Sequence, residues 1–242
     1  MSNRALDVPG LVNGRDLGGL PLDGGGVTPH GVLLRSERPD RLDADGWRRL
    51  RELGVGTVVD LRLPAERTSH PVEVPSGVAA RHVDLDGLEN TVFWAGYWDN
   101  GLSGTPVYYL PHLAAMPERV VAVLDAIASA PPGGVLFHCA GGRDRTGLVA
   151  AVLLAVAGVE QEAVVADYLE SVRTAAALAA AVGVPDPNPA VDAVLAARGT
   201  TVERAFRDFL AGLDVEALLD RLAPERAEAV RTWRGALRPQ RA

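Results

Sequence analysis

The chain contains no lysine; all 24 of its basic residues are arginines, a bias of composition rather than of mechanism. It has a single cysteine, which excludes an intramolecular disulfide and a cysteine-based zinc site. Basic residues are outnumbered by 31 acidic ones, leaving a formal charge of -7 and no footprint for non-specific nucleic-acid binding. Without a basic surface tract, stable recruitment to an anionic membrane is not expected either. No run approaches the roughly 20 apolar residues that a bilayer span requires; the longest, Leu148 to Val159, reads as core. The opening MSNRALDVPGLVNGRD holds no apolar segment of signal-peptide length, so the expected location is cytoplasmic. Aromatics are scarce as well, four each of Trp, Tyr and Phe, and a large share of them falls between residues 86 and 104.

What is present is a core. Hydrophobic residues make up 48% of the 242, enough to fold residues 1–242 as one α/β domain and to exclude global disorder. The most informative stretch is HCAGGRDRTG, His138 to Gly147. It follows a short apolar run, Val135-Leu136-Phe137, and precedes the long one, which reads as buried strand, tight glycine-bearing loop and buried helix. Such a junction suits an anion, because the N–H groups of Ala140, Gly141, Gly142, Arg143, Asp144 and Arg145 turn inward and the helix adds its positive end. The same donors stabilise a thiolate at Cys139. Arg145, six positions after the cysteine, offers a planar fork for two phosphoryl oxygens. Taken singly, a lone cysteine is usually a small buried hydrophobe, His138 a hydrogen-bonded core residue and Arg143 a solvated surface arginine; the combination at one junction favours function.

Elsewhere the sequence reads as alternating strands and helices. Gly31 to Ser36 is a strand leaving a glycine-rich hairpin, with Arg15-Asp16 before it as a structural ion pair. Asp43 to Leu53 is a capped amphipathic helix, and Thr57 to Arg62 a buried strand ending in charge. Asp60 at that strand end either faces the ligand crevice of a parallel sheet or caps the next turn. Pro64 to Ser76 reads as a connection with a solvated Glu66-Arg67 pair, and Ala80 to Leu85 as a half-buried strand. Residues 86–104, within a possible lid insertion at about 86–116, either shield a water-sensitive intermediate or pack their rings on the core, the first being preferred. Helices follow from Thr105 to Ala130, and residues 160–242 are the helical part of the same domain, opened by one helix over Glu160 to Ala181.

HCAGGRDRTG resembles the H-C-x5-R-S/T-G signature of the cysteine-dependent protein tyrosine phosphatases, and its ending is similar to that of the atypical bacterial tyrosine phosphatases of the protein tyrosine phosphatase B type. The NGRDLGG element, Leu34-Arg35-Ser36, Asp60-Leu61-Arg62 and Asp167-Tyr168-Leu169 extend the resemblance over most of the chain. It departs at Gly14, where the family has an aromatic, and at Glu37, where a small residue is usual. The resemblance implies a central, mostly parallel sheet flanked by helices, and hydrolysis of phosphomonoesters through a cysteinyl-phosphate, with no metal or cofactor. Cys139 is then the nucleophile, Arg145 the clamp, Thr146 a hydroxyl beside the sulfur, and His138 a supporting residue. Asp144 is the general acid/base, with Asp60 or Asp86 as alternates; the competing reading has Asp144 anchor the loop through backbone N–H groups. Phosphate contacts fall to Ala140, Gly141, Gly142, Arg143 and Asp60. Arg143 stands where members acting on phosphoinositides tend to have lysine. The expected partner is a phosphorylated protein or a small-molecule phosphate ester, of tyrosine or dual specificity. The alternatives are a metabolite or phosphoinositide phosphatase, or a silent phospho-ligand binding module. A rhodanese-like sulfurtransferase fits the arginine-threonine-glycine tail less well.

Overall fold

The computed structural model describes residues 4–237. Its strands are β1 (Arg15–Asp16), β2 (Leu33–Ser36), β3 (Val55–Asp60), β4 (Ala79–His82) and β5 (Gly134–His138). They form one sheet in the order β1-β2-β5-β3-β4, parallel throughout except for β1 at the edge. This is the mostly parallel α/β sheet that the resemblance implied. β5 lies at the centre because all five of its residues are buried, leaving no face for water.

Alternation along the strands feeds two cores. Leu33, Val59, Val135 and Phe137 point to the larger one, and their neighbours Leu34, Val58 and Leu136 point to the smaller. The smaller core is closed by α1 (Ala44–Glu52), whose Trp47 and Leu50 are buried and whose start is capped by Asp43 accepting from Gly46 N at 2.9 Å. After α2 (Pro64–Ser69) and α3 (Thr91–Trp94) come α4 (Tyr109–Ala115), α5 (Pro117–Ala128) and α6 (Asp144–Val156). In α6 every residue from Thr146 to Leu154 is buried, so the long apolar run is core. The chain finishes with α7 (Gln161–Arg173), α8 (Ala175–Val182), α9 (Asn188–Ala196), α10 (Val202–Gly212), α11 (Val215–Leu219) and α12 (Pro224–Arg231). Among the described residues no helix is long and apolar enough to cross a membrane.

Several expectations are corrected. The single helix over Glu160 to Ala181 is two, divided at Thr174, whose hydroxyl donates back to the Glu170 carbonyl at 2.9 Å and so bends the helix. Arg15 does not pair with Asp16; it reaches Asp167 on α7, and Asp16 instead takes His30 and the N–H groups of Gly18 and Gly31. The aromatic missing at Gly14 is replaced by leucines, since a Cβ there would lie 2.9 Å from Leu11 and 3.5 Å from Leu6. Residues 86–116 fold as α3, two single 3₁₀ turns and α4. Trp94, Tyr108 and Tyr109 are buried there, while Val92 and Trp98 are exposed.

Parallel register sets the place of the site. Ser36, His138, Asp60 and His82 lie side by side at the C-terminal ends of β2, β5, β3 and β4. The segments leaving those four residues therefore converge on one edge, the crevice where such sheets bind ligands.

Candidate active site

The loop leaving β5 at Cys139 runs straight into α6, which begins at Asp144 inside the signature itself. For its amides to face a common centre its carbonyls must face away, and each needs a donor. Arg38 N serves Ala140 O at 3.0 Å, and Asn13 Nδ2 serves Gly141 O at 3.0 Å. Arg35 Nη2 serves Gly142 O at 2.7 Å. Among the described residues, no acceptor is bonded to the N–H groups from Ala140 to Thr146. The result is a row of free donors at a helix N-terminus, the arrangement that holds an oxyanion. Gly142 is obligatory in it: φ is 68°, and a Cβ would stand 2.5 Å from Glu37 N.

Behind the loop sits a cluster that local sequence does not announce. Asp167 accepts from Arg15 Nε at 2.9 Å, Arg35 Nη1 at 2.7 Å and Arg4 Nη1 at 2.9 Å. Burial opposes its charge, but the arginines hold its carboxyl well below the usual range. Glu37, the other family departure, is buried and accepts from Val12 N, Asn13 N and Arg41. It thereby fixes the segment from which Asn13 reaches the loop.

Cys139 is 3% exposed at the end of β5, in the larger core beside α6. His138 is fully buried, and burial pushes it down to about 4, so it is neutral. Its Nδ1 lies 3.0 Å from the Cys139 carbonyl oxygen, the geometry of an N–H donor. Thr146 is buried in the first turn of α6, and among the described residues its hydroxyl has no hydrogen-bond partner.

Arg145 is met by two carboxylates. Its Nη1 donates to Glu66 Oε2 and, at 2.9 Å, to Asp86 Oδ2; its Nη2 donates to Glu66 Oε1 at 2.8 Å. Although burial works against the guanidinium, the Glu66 bonds and the charges of Cys139 and Asp86 hold its pKa above arginine's ordinary value. Glu66 is therefore not part of a solvated pair, and Pro64 opens α2 rather than a plain connection. The mark of this helix in the sequence is a proline at the first helical position with glutamate two residues on, whose carboxylate accepts from Leu63 N at 2.9 Å.

Asp144 is three-quarters buried, and its carboxylate accepts from the Tyr109 hydroxyl at 3.3 Å. Among the described residues it accepts from no backbone N–H, which is what the loop-anchor reading required. Burial raises its pKa against the pull of Arg143 and Tyr109. Burial also pushes Asp86 up to about 6, opposed by Arg145 and reinforced by Glu66, Asp84 and Asp144. Asp60 takes the turn-capping place: it accepts from Arg62 N at 3.0 Å, and its two oxygens take the Arg62 side chain at 2.9 and 2.8 Å. Arg143 is not a solvated surface arginine; it is 6% exposed and donates to Asn188 Oδ1 of α9 at 3.0 Å. Beside the loop opens a cavity of about 490 Å³, with Gly141 and Asp144 on one side, Leu178 and Val182 of α8 on another, and Arg38 and His70 across.

Residues 6–232 match the model of the tyrosine phosphatase family. The chain belongs to that family. A provisionally named tyrosine-protein phosphatase of Cupriavidus necator is 35% identical over 167 residues, covering 66% of this chain and 60% of that protein. The triple specificity protein phosphatase PtpB of Mycobacterium tuberculosis is 30% identical over 194 residues, covering 68% of each. Among solved structures, Pseudomonas aeruginosa TpbA in complex with pTyr is similar at 18% identity, over 77% of this chain and 83% of that one, with a TM-score of 0.39. The chain spans about 60% of the length of its Cupriavidus relative.

Proposed function

We propose that the chain hydrolyses phosphomonoesters of protein side chains, phosphotyrosine foremost, through a cysteinyl-phosphate at Cys139. The observation that carries this reading is the loop itself: a cysteine at a strand end, free amides from Ala140 to Thr146, and Arg145 at the first turn of α6. The Cys139 sulfur attacks phosphorus while the ester oxygen leaves with a proton from Asp144. Water then attacks, Asp144 takes its proton, and the sulfur departs as thiolate against the Thr146 hydroxyl. The amides and Arg145 hold the three remaining oxygens through both steps, so catalysis is positioning and charge compensation. Family membership and the name of the Mycobacterium relative support a tyrosine or broader protein phosphatase. The apolar wall of Leu178 and Val182 supports an aryl leaving group over a sugar phosphate.

A second reading gives the departing proton to Asp86. It is favoured by a carboxyl pushed up to about 6 and placed 2.9 Å from Arg145.

The test is an assay of phosphotyrosine and phosphoserine peptides, nucleotide monophosphates and phosphoinositides with chelator present, followed by acid quench and mass spectrometry. Phosphate trapped on Cys139 with the peptides as best substrates is the expected result. Turnover with label on no cysteine would overturn the covalent route.

A further inference from the structure

A guanidinium has five N–H groups, and in Arg145 three are already taken: two by Glu66 and one by Asp86. Which three matters. Glu66 straddles Nη1 and Nη2 and so uses the hydrogens along the guanidinium axis. Asp86 takes the second hydrogen of Nη1, on the edge opposite Nε–H. What remains is Nε–H and the outer hydrogen of Nη2, two parallel donors on one edge, the fork that fits two phosphoryl oxygens.

The carboxylate is itself pinned. Glu66 Oε2 also accepts from Leu63 N, at the start of α2, one residue after Arg62. Arg62 is locked in turn by Asp60 at the end of β3 and by the His70 carbonyl at 2.9 Å. The position of the carboxylate is thus dictated by the sheet edge, and the flexible arginine conforms to it.

We propose that Glu66 is a positioning residue that, with Asp86, selects the Nε/Nη2 edge of Arg145 for the substrate phosphoryl group. The assignment rests on the reading of Arg145 as the clamp. Glu66 touches no reacting atom; it acts through the guanidinium. It also adds a negative charge near an incoming anion, so its benefit is orientation rather than attraction.

The test uses Glu66→Gln in the full chain. Glutamine keeps one oxygen for Leu63 N–H and Nη1, but sets an NH₂ donor against Nη2 and forces the guanidinium to turn. Thermal stability should stay near wild type, because the helix start keeps its acceptor. Expected is a loss in kcat/KM on a phosphotyrosine peptide on the order of 10–100-fold, matched by a similar loss in tungstate affinity. In an Arg145→Lys background, which has no fork to select, the same substitution should change either quantity by about twofold or less. Equal losses in both backgrounds would mark Glu66 as merely structural, and undiminished tungstate affinity in Glu66→Gln would overturn the assignment. A wild-type chain that binds no tungstate and hydrolyses no ester would instead remove the clamp reading, a distinct outcome.

Discussion

Arg35 ties the loop between β5 and α6 to α7: its Nη2 donates to the Gly142 carbonyl and its Nη1 to Asp167 Oδ2, each at 2.7 Å. Replacing Arg35 by methionine leaves the Gly142 carbonyl, among the described residues, with only Ser171 at 3.4 Å, and Asp167 short of one of its arginines. Breaking a buried ion pair in this way costs about 3–5 kcal/mol. Denaturant unfolding of Arg35→Met should show a loss of that size, together with a fall in activity larger than the unfolded fraction explains. Wild-type stability in this variant would mean the cluster contributes nothing net.

The same cluster fixes an acid limit. A carboxyl held below its unfolded value binds its proton less tightly in the folded state. The stability it confers is therefore complete above the unfolded value, about 4, and is lost as pH falls through the depressed folded value. Acid titration followed by circular dichroism should show the chain holding its fold through the ordinary carboxylate range. An Asp167→Asn variant, if it folds, should lose that pH dependence; a wild-type transition centred near pH 4 would contradict the pairing.

Gly142→Ala should damage the loop and little else. The new methyl meets Glu37 N at 2.5 Å with φ at 68°, so about 1–3 kcal/mol of strain is expected. Tungstate affinity should drop with it, measured by calorimetry.

Thr146 separates chemistry from stability. Its hydroxyl is buried with no partner among the described residues, so Thr146→Val should leave the melting temperature unchanged or higher. If the hydroxyl supports the departing thiolate, steady-state turnover should fall about 10–100-fold, the worth of a hydrogen bond to a charged group. A burst of released phenol should also appear, because the second step becomes limiting. A slowed first step with no burst would assign the hydroxyl elsewhere.

The two acids can be told apart by pH. Asp86 at about 6 lies above its unfolded value, so it binds its proton more tightly when folded and stability declines as pH rises from about 4 to about 6. Asp86→Asn should flatten that decline. If Asp144 supplies the proton, Asp144→Asn should cost about 10²–10⁴-fold on phosphoserine peptides and far less on p-nitrophenyl phosphate, whose leaving group needs no acid. The basic limb of kcat/KM should then persist in Asp86→Asn; its disappearance there would move the role to Asp86.

Local spacing carried much of this structure. A strand, a short glycine-bearing loop and a helix were legible because the ten residues of their junction, His138 to Gly147, are contiguous, whereas the mostly parallel sheet came with the family resemblance. Non-local pairing was not. Arg15 has an aspartate beside it in sequence, yet its partner is Asp167, brought close only when α7 packs behind the loop. Glu66 read as solvated because nothing nearby in the chain needs it; the register of β3 against β5 delivers it to Arg145. Arg143 read as exposed because its cover, Asn188, stands 45 residues further along the chain, at the start of α9.

The most direct measurement pairs turnover with binding in Cys139→Ser. No detectable hydrolysis of a phosphotyrosine peptide is expected while the peptide still binds, since the amides and Arg145 are untouched. A serine variant that hydrolyses the peptide at a rate near wild type would contradict the covalent route.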